Sequence, residues 1–245
     1  MMKLKAEEVA YYEEQGYVLY KKPLFSENKL SGLQQIFEEH LAEKGKKLSD
    51  ELDTPHWRDE RLLEYLLSDE VLDLVEPIIG PNIVLWSSHF ICKDPFIGRQ
   101  TPWHEDSTYW KGRLDNFSKI VTVWLAIDPS NRENGCMRVI PGTHRNGFSN
   151  YENVDSKENL FSTRIKPSDI DESLAVDFEL EQGECSLHDS RIIHGAEANT
   201  SPHRRCGYTM RYFSADTKVI TEANPGFKIW LARGKDLAGN SYENA

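Results

Sequence analysis

The sequence predicts a mainly β protein with helices at its N-terminus. Three observations carry this. Up to about residue 80, apolar side chains recur at helical spacing. After Pro81 the chain breaks into short β-branched or aromatic runs separated by Gly, Pro, Asn and Asp. Several short strands at such spacing suggest a sandwich or barrel. Hydrophobic residues make up 39% and charged residues 28% of the 245, which suits a real core in a water-facing protein. The simplest organisation is one domain over 1–245, in which residues 1–80 are a helical support and 81–245 form the β-core.

The elements follow in order. "KAEEVAYYEEQG" carries an apolar stripe and ends at Gly16. "SENKLSGLQQIFEEHLAEKG" starts at the N-cap residue Ser26 and stops at Gly45, with Leu30, Leu33, Ile36, Phe37 and Leu41 along one side. "DERLLEYLLSDEVLDLVEPIIG" reads as two short helices broken near Ser68. The strand-like runs are "NIVLWSSHFICK", "KIVTVWLAID", "CMRVIPG", "LAVDFELEQGECSLHD", "RIIHGAEAN" and "RCGYTMRYFS". Between them, "NGFSNYENVDSKENLFSTRIKPSDIDES" is polar and nearly patternless. It is long for an idle loop, so a loop or lid near 146–172 is expected over a site.

Composition narrows the function classes. The net charge of -11 argues against a nucleic-acid partner, which would want a basic face. It leaves small anionic substrates open, because local charge in a pocket outweighs global charge. No run of about 18 uncharged apolar residues exists, and no membrane partner is expected. The N-terminal stretch lacks an apolar h-region, so no secretory signal is expected there. Cys92, Cys136, Cys185 and Cys206 show no CxxC spacing and read as buried, reduced thiols of a cytoplasmic protein.

The stretch "TPWHEDSTYW" places His104 and Asp106 two positions apart, where a strand aims both at one point. An H-x-D pair recurs by chance, so a third ligand and a nearby cation decide its meaning. "LHDSRIIHG" offers both His188 and His194. Two histidines and one carboxylate on one face leave the other positions of an octahedron open. That suits non-haem Fe(II), whereas zinc favours four-coordinate His/Cys sites and magnesium all-oxygen ligands. His40 and His56 read as surface or cap residues, His89 as a residue that could face the barrel, His144 as part of a hydrogen-bonded turn, and His203 as a loop residue. "SPHRRCGYTMRYF" supplies Arg204, Arg205 and Arg211, and an arginine fork is the best grip on a carboxylate. Arg205 is expected to open a strand adjacent to the one carrying His194.

At these residues the chain resembles the phytanoyl-CoA dioxygenase family. "WHEDSTYW", "VTVWLAIDPSNRENGCMRVIPGTHR" and "IIHGAEANTSPHRRCGYTMRYF" carry the resemblance, which runs from about residue 82 to the C-terminus. "ENGCMRVIPGTHR" is its most specific part. The resemblance implies a double-stranded β-helix, or jelly roll, with Fe(II) held by His104, Asp106 and His194. It implies 2-oxoglutarate and O2 as co-substrates. Arg205, eleven positions after His194, would grip the distal carboxylate, and Trp124 would line the co-substrate pocket. Trp103, Glu105, Tyr109 and Trp110 are candidate substrate contacts, with no catalytic residue beyond the ligands. Three departures stand out: Glu105 where relatives more often carry Gln, Ala196 where Ser is usual, and Gly207 where many oxygenases place a serine on the co-substrate.

The implied reaction couples decarboxylation of 2-oxoglutarate, giving succinate and carbon dioxide, to hydroxylation of an unactivated C–H bond of a small metabolite or natural-product intermediate. Asp106 speaks against halogenation, since halogenating relatives lack this carboxylate. Two other readings are a non-redox, metal-dependent isomerase or hydrolase of the same fold, and a non-catalytic small-molecule-binding member. Substrate identity and oligomeric state are not legible in the sequence.

Overall fold

The computed structural model describes residues 3–44, 52–155 and 157–244. Four helices precede the β-core: α1 (Ala6–Gln15), α2 (Glu27–Lys44), α3 (Leu63–Leu66) and α4 (Asp69–Ile79). Ser26 caps α2 as expected, with its Oγ accepting from Lys29 N at 3.4 Å. The expected stop at Gly45 lies outside the described residues. Ser68 separates α3 from α4 in extended conformation, as the sequence predicts. None of the described helices is long and apolar enough to cross a membrane.

The strands are β1 (Tyr17–Tyr20), β2 (Leu52–Asp53), β3 (Ile83–Lys93), β4 (Thr101–His104), β5 (Ile120–Ala126), β6 (Met137–Val139), β7 (Tyr151–Asn153), β8 (Thr163–Ile165), β9 (Val176–Asp177), β10 (Cys185–Asp189), β11 (His194–Ala196), β12 (Arg205–Ser214) and β13 (Trp230–Arg233). The major sheet has the order β1-β10-β5-β12-β3-β13, with β2 also on β3; the minor sheet runs β4-β11-β6-β9. All pairings are antiparallel, and together the two sheets form the jelly roll.

Strand alternation explains why β5 and β12 are buried along almost their whole length. Side chains at successive positions point to opposite faces of a sheet. Val121, Val123 and Leu125, with Cys206, Tyr208, Met210 and Tyr212, join the core shared with α2 and α4. The other parity places Thr122, Trp124 and Ala126 beside Arg211, Thr209 and Gly207 on the inner face, through the registers Arg211↔Thr122, Thr209↔Trp124 and Gly207↔Ala126. Burial on both faces favours long apolar runs over strict alternation, interrupted on the inner face by the cavity-lining Thr122, Arg205, Thr209 and Arg211.

The "PGTHR" turn fastens α1 to this frame. Gly142 N donates to Gln15 O at 2.8 Å, His144 Nε2 donates to Glu13 O at 3.2 Å, and Asp189 N donates to Gly16 O at 2.9 Å. Gly16 has φ +82°, and a Cβ there would meet His144 Nδ1 at 2.5 Å, so glycine is required twice over.

Two expectations need correction here. The 146–172 segment is not patternless, since it contains the β7–β8 hairpin. His56 is not a surface residue: it is buried, bonds Ser88 Oγ at 2.7 Å and packs its ring against Trp230. Burial, with a smaller contribution from Lys228, pushes its pKa down to about 3. From pH 6.5 down to about 3 the unfolded chain binds a proton that the native state refuses. Stability therefore falls across that window and levels off below it. Urea midpoints of the metal-free protein are expected to show this slope, and His56→Gln to flatten it.

Candidate functional site

The site forms where β4 and β11 pair edge to edge in the minor sheet. His104 stands opposite His194 in that register, and their rings lie 4.1 Å apart between centroids. β4 ends at His104, and Asp106 opens a short 3-10 turn through Trp110. Glu105 between them stays extended (φ −111°, ψ 133°), so the two-residue alternation persists beyond the strand. Ligand atoms of His104, Asp106 and His194 all lie within 4.8 Å of one another, and all three residues are buried.

The hydrogen bonds orient each ligand. His104 Nδ1 donates to Pro102 O at 2.7 Å, and His194 Nδ1 donates to Ile192 O at 3.0 Å. Each Nε2 lone pair is thereby left for an ion. Asp106 Oδ2 accepts from Thr122 Oγ1 and from Arg211 Nε, both at 3.2 Å, which leaves Oδ1 as the coordinating oxygen. Burial opposes ionisation of Asp106. Arg211 and the surrounding histidines overcome it and hold the carboxyl below the usual carboxylate range. Burial, with His194 beside it, pushes His104 down to about 3, so its imidazole is neutral and able to ligate at neutral pH. A hydrogen-bond-oriented set of two histidines and one carboxylate fits ferrous iron.

A cavity of about 60 Å³ adjoins these residues. Its walls include Trp124, Met137, Leu160, Phe161, Arg205 and Arg211. Arg205 does not neighbour β11. It opens β12 in the major sheet, between β3 and β5, and faces the ligand strands across the cavity. This corrects the expected strand adjacency, because the jelly roll puts His194 in the other sheet. The Arg205 guanidinium is buried, donates from Nε and Nη2 to Gly135 O at 3.1 and 2.8 Å, and lies 5.4 Å from the Trp124 ring centroid. Among the described residues no carboxylate forms an ion pair with it. The "ENGC" turn thus has a visible purpose: Gly135 (φ +78°) presents a carbonyl that aims Arg205. Gly207 has a physical reason too, since a Cβ there would overlap the Trp124 ring. The indole occupies the space a serine side chain would need.

The other sequence candidates lie as follows. Tyr109 is partly exposed, with its ring 5.9 Å from His104 and 5.4 Å from Phe161. Trp110 is buried against Trp86, with Arg211 5.8 Å from its ring centroid. Trp103 lies outside the cavity lining, on a neighbouring groove with Arg138. Glu105 is 1% exposed and also outside that lining. Its Oε1 accepts from Ser149 N and Oγ (2.9 and 2.6 Å), and its Oε2 from Thr108 Oγ1 and Tyr151 OH (2.9 and 2.6 Å). Glu105 therefore ties the β7 end of the covering segment to the metal strand. Glu105→Gln turns one acceptor oxygen into a donor and is expected to cost about 1–3 kcal/mol of stability. Faster hydrogen exchange over 149–165 would register the loosened segment.

Sequence reasoning missed Thr122 and the role of Arg211 on Asp106, and also Leu160 and Phe161. A signal for Arg211 existed: an even spacing from Arg205 within one strand puts both on one face. His188, the competitor of His194, is fully buried. Its ring centroid is 5.0 Å from that of His194, and neither of its nitrogens has a hydrogen-bond partner.

Comparison with known proteins agrees with this geometry. A family model described as phytanoyl-CoA dioxygenase (PhyH) matches residues 12–207. The peroxisomal phytanoyl-CoA dioxygenase of Mus musculus is 28% identical, over 98% of this chain and 73% of that protein. A probable alpha-ketoglutarate-dependent hypophosphite dioxygenase of Stutzerimonas stutzeri is 30% identical, over 69% of this chain and 59% of that one. The chain thus spans between about half and three quarters of the length of such relatives. Among solved structures, the non-haem alpha-ketoglutarate-dependent carbocyclase SnoK is 25% identical with a TM-score of 0.70, covering 88% of this chain and 86% of that one. The non-haem monooxygenase ThoJ shares the fold at a TM-score of 0.79 and 22% identity, over 96% of this chain and 87% of that one. With the family match spanning most of the β-core and the His-Asp-His set assembled in it, the chain belongs to the phytanoyl-CoA dioxygenase family of Fe(II)- and 2-oxoglutarate-dependent oxygenases.

Proposed function

We propose that this protein hydroxylates an unactivated C–H bond of a small metabolite or natural-product intermediate. One atom of O2 enters the product and the other enters succinate, as 2-oxoglutarate loses carbon dioxide. The carrying observation is one cavity that contains a candidate three-ligand set and, across it, a buried arginine with no carboxylate partner among the described residues. An isomerase or hydrolase has no evident use for that second feature.

The residues divide the work. His104, Asp106 and His194 would hold the ferrous ion, and Arg205 would receive the distal carboxylate of 2-oxoglutarate in its fork. When bound, that pair supplies the activation of oxygen. Trp124 walls the co-substrate side. Leu160 and Phe161 come from the covering segment and close the cavity from the opposite direction, which keeps water from the reacting centre. The segment near 146–172 acts as the lid, latched through Glu105. Asp106 would supply the carboxylate ligand whose absence opens a place for halide in halogenating enzymes, so hydroxylation is favoured over halogenation.

Iron-dependent release of succinate from 2-oxoglutarate, screened over a metabolite panel, tests the proposal. The expected result is succinate formation that depends on Fe(II) and is stimulated by a subset of the panel. Equal stimulation by zinc, or conversion of panel members without 2-oxoglutarate, would instead establish the non-redox reading.

A further inference from the structure

Arg211 is a second cation in the metal cavity, and its position there is unusual. Its Nε bonds Asp106 Oδ2 at 3.2 Å, and its side chain retains 12% exposure. Among the described residues its terminal nitrogens have no protein hydrogen-bond acceptor. Its Cζ lies 5.8 Å from the centroid of the Trp110 ring, and the residue lines the cavity.

Arg205 and Arg211 share the inner face of β12, six residues apart. At the strand rise their Cα atoms are roughly 20 Å apart. One molecule of 2-oxoglutarate cannot engage both. Held by Arg205, it leaves Arg211 without an anion other than Asp106. The charges that line the cavity make the same point. With a ferrous ion and the co-substrate dianion bound, the two arginines and the ion would outweigh Asp106 and the dianion by one positive charge. Thr122 donates to the same oxygen of Asp106, so that oxygen has a neutral donor beside the guanidinium. A guanidinium beside a divalent ion is repelled by it in a poorly solvated cavity, unless another anion arrives.

We propose that the substrate is a small oxoanion, a carboxylate or phosphorus oxoacid, whose acid group binds Arg211. The oxidised carbon is then only a few bonds from that group, because Arg211 touches the carboxylate that holds the metal. This rests on the oxygenase reading above and adds the substrate class to it.

The test uses the anaerobic complex of the full chain with Fe(II) and saturating 2-oxoglutarate, followed through its visible charge-transfer band. The probes are straight-chain carboxylic acids of three to six carbons, the matching primary amides, and the alkylphosphonates. Expected is a shift of the band by acids or phosphonates at concentrations at least about tenfold below those of the amides. Uncoupled decarboxylation in air should rise in the same order. Arg211→Gln should erase the preference for acids and Arg211→Lys should keep part of it, with acids and amides compared within each variant at Fe(II) and 2-oxoglutarate concentrations raised until its own band is fully formed, since Arg211 also bonds Asp106. Acids and amides acting alike, acids that only bleach the band by displacing 2-oxoglutarate, or an acid preference that survives Arg211→Gln would each overturn the proposal. A wild-type protein that forms no band at all would overturn the oxygenase reading, and this inference with it.

Discussion

Asp106→Ala is expected to abolish iron-dependent turnover, with Fe(II) affinity reduced by at least about a hundredfold. Loss of an outer-sphere partner alone costs 10- to 100-fold at such sites, and Asp106 is the sole carboxylate of the set. The variant should remain folded. The metal-free site holds an ionised carboxylate against burial, so its removal relieves one desolvation cost while it removes the partner of Arg211. His194→Ala should behave alike, because His194 brings the second sheet strand to the ion. Succinate assays, equilibrium Fe(II) binding and circular dichroism together check the result. Full activity in a folded Asp106→Ala protein would refute the ligand assignment.

Arg205→Ala is the second large effect. It should weaken 2-oxoglutarate by roughly 1.5–3 kcal/mol, the value of a charge-assisted contact, and so raise its KM by about ten- to over a hundredfold. Fe(II) affinity should hardly change, since Arg205 touches none of the ligands. Arg205→Lys should recover little. The paired donors Nε and Nη2 on Gly135 O fix a planar fork that an ammonium cannot reproduce. Steady-state KM for 2-oxoglutarate, measured beside a direct iron titration, separates the two effects. Equal losses in both would mean that Arg205 supports the fold rather than the co-substrate.

Much of the architecture was legible in the sequence for local reasons. Gly16 and Ser68 mark helix boundaries because a left-handed or extended backbone at those points ends a hydrogen-bond ladder. β3, β5 and β12 were visible because strands buried on both faces are rich in apolar residues along most of their length. The β7–β8 hairpin was not, since it is short and partly exposed, and its stability comes from contacts such as Tyr151 with Glu105 rather than from its own pattern. His56 was misread for the same reason: its burial depends on Ser88 and Trp230, distant in sequence.

By itself the sequence determined the chemical vocabulary: an H-x-D pair, a histidine and an arginine eleven residues apart, and the helical and β segments that would carry them. Only the tertiary structure decided which atoms meet. It brought His194 rather than His188 together with His104 and Asp106, put Arg205 in the opposite sheet, bonded Glu105 to Tyr151, and laid Arg211 against Asp106. The physical reason is that periodicity fixes the face of a strand on which a side chain lies, whereas sheet pairing and closure across the barrel fix what that face meets.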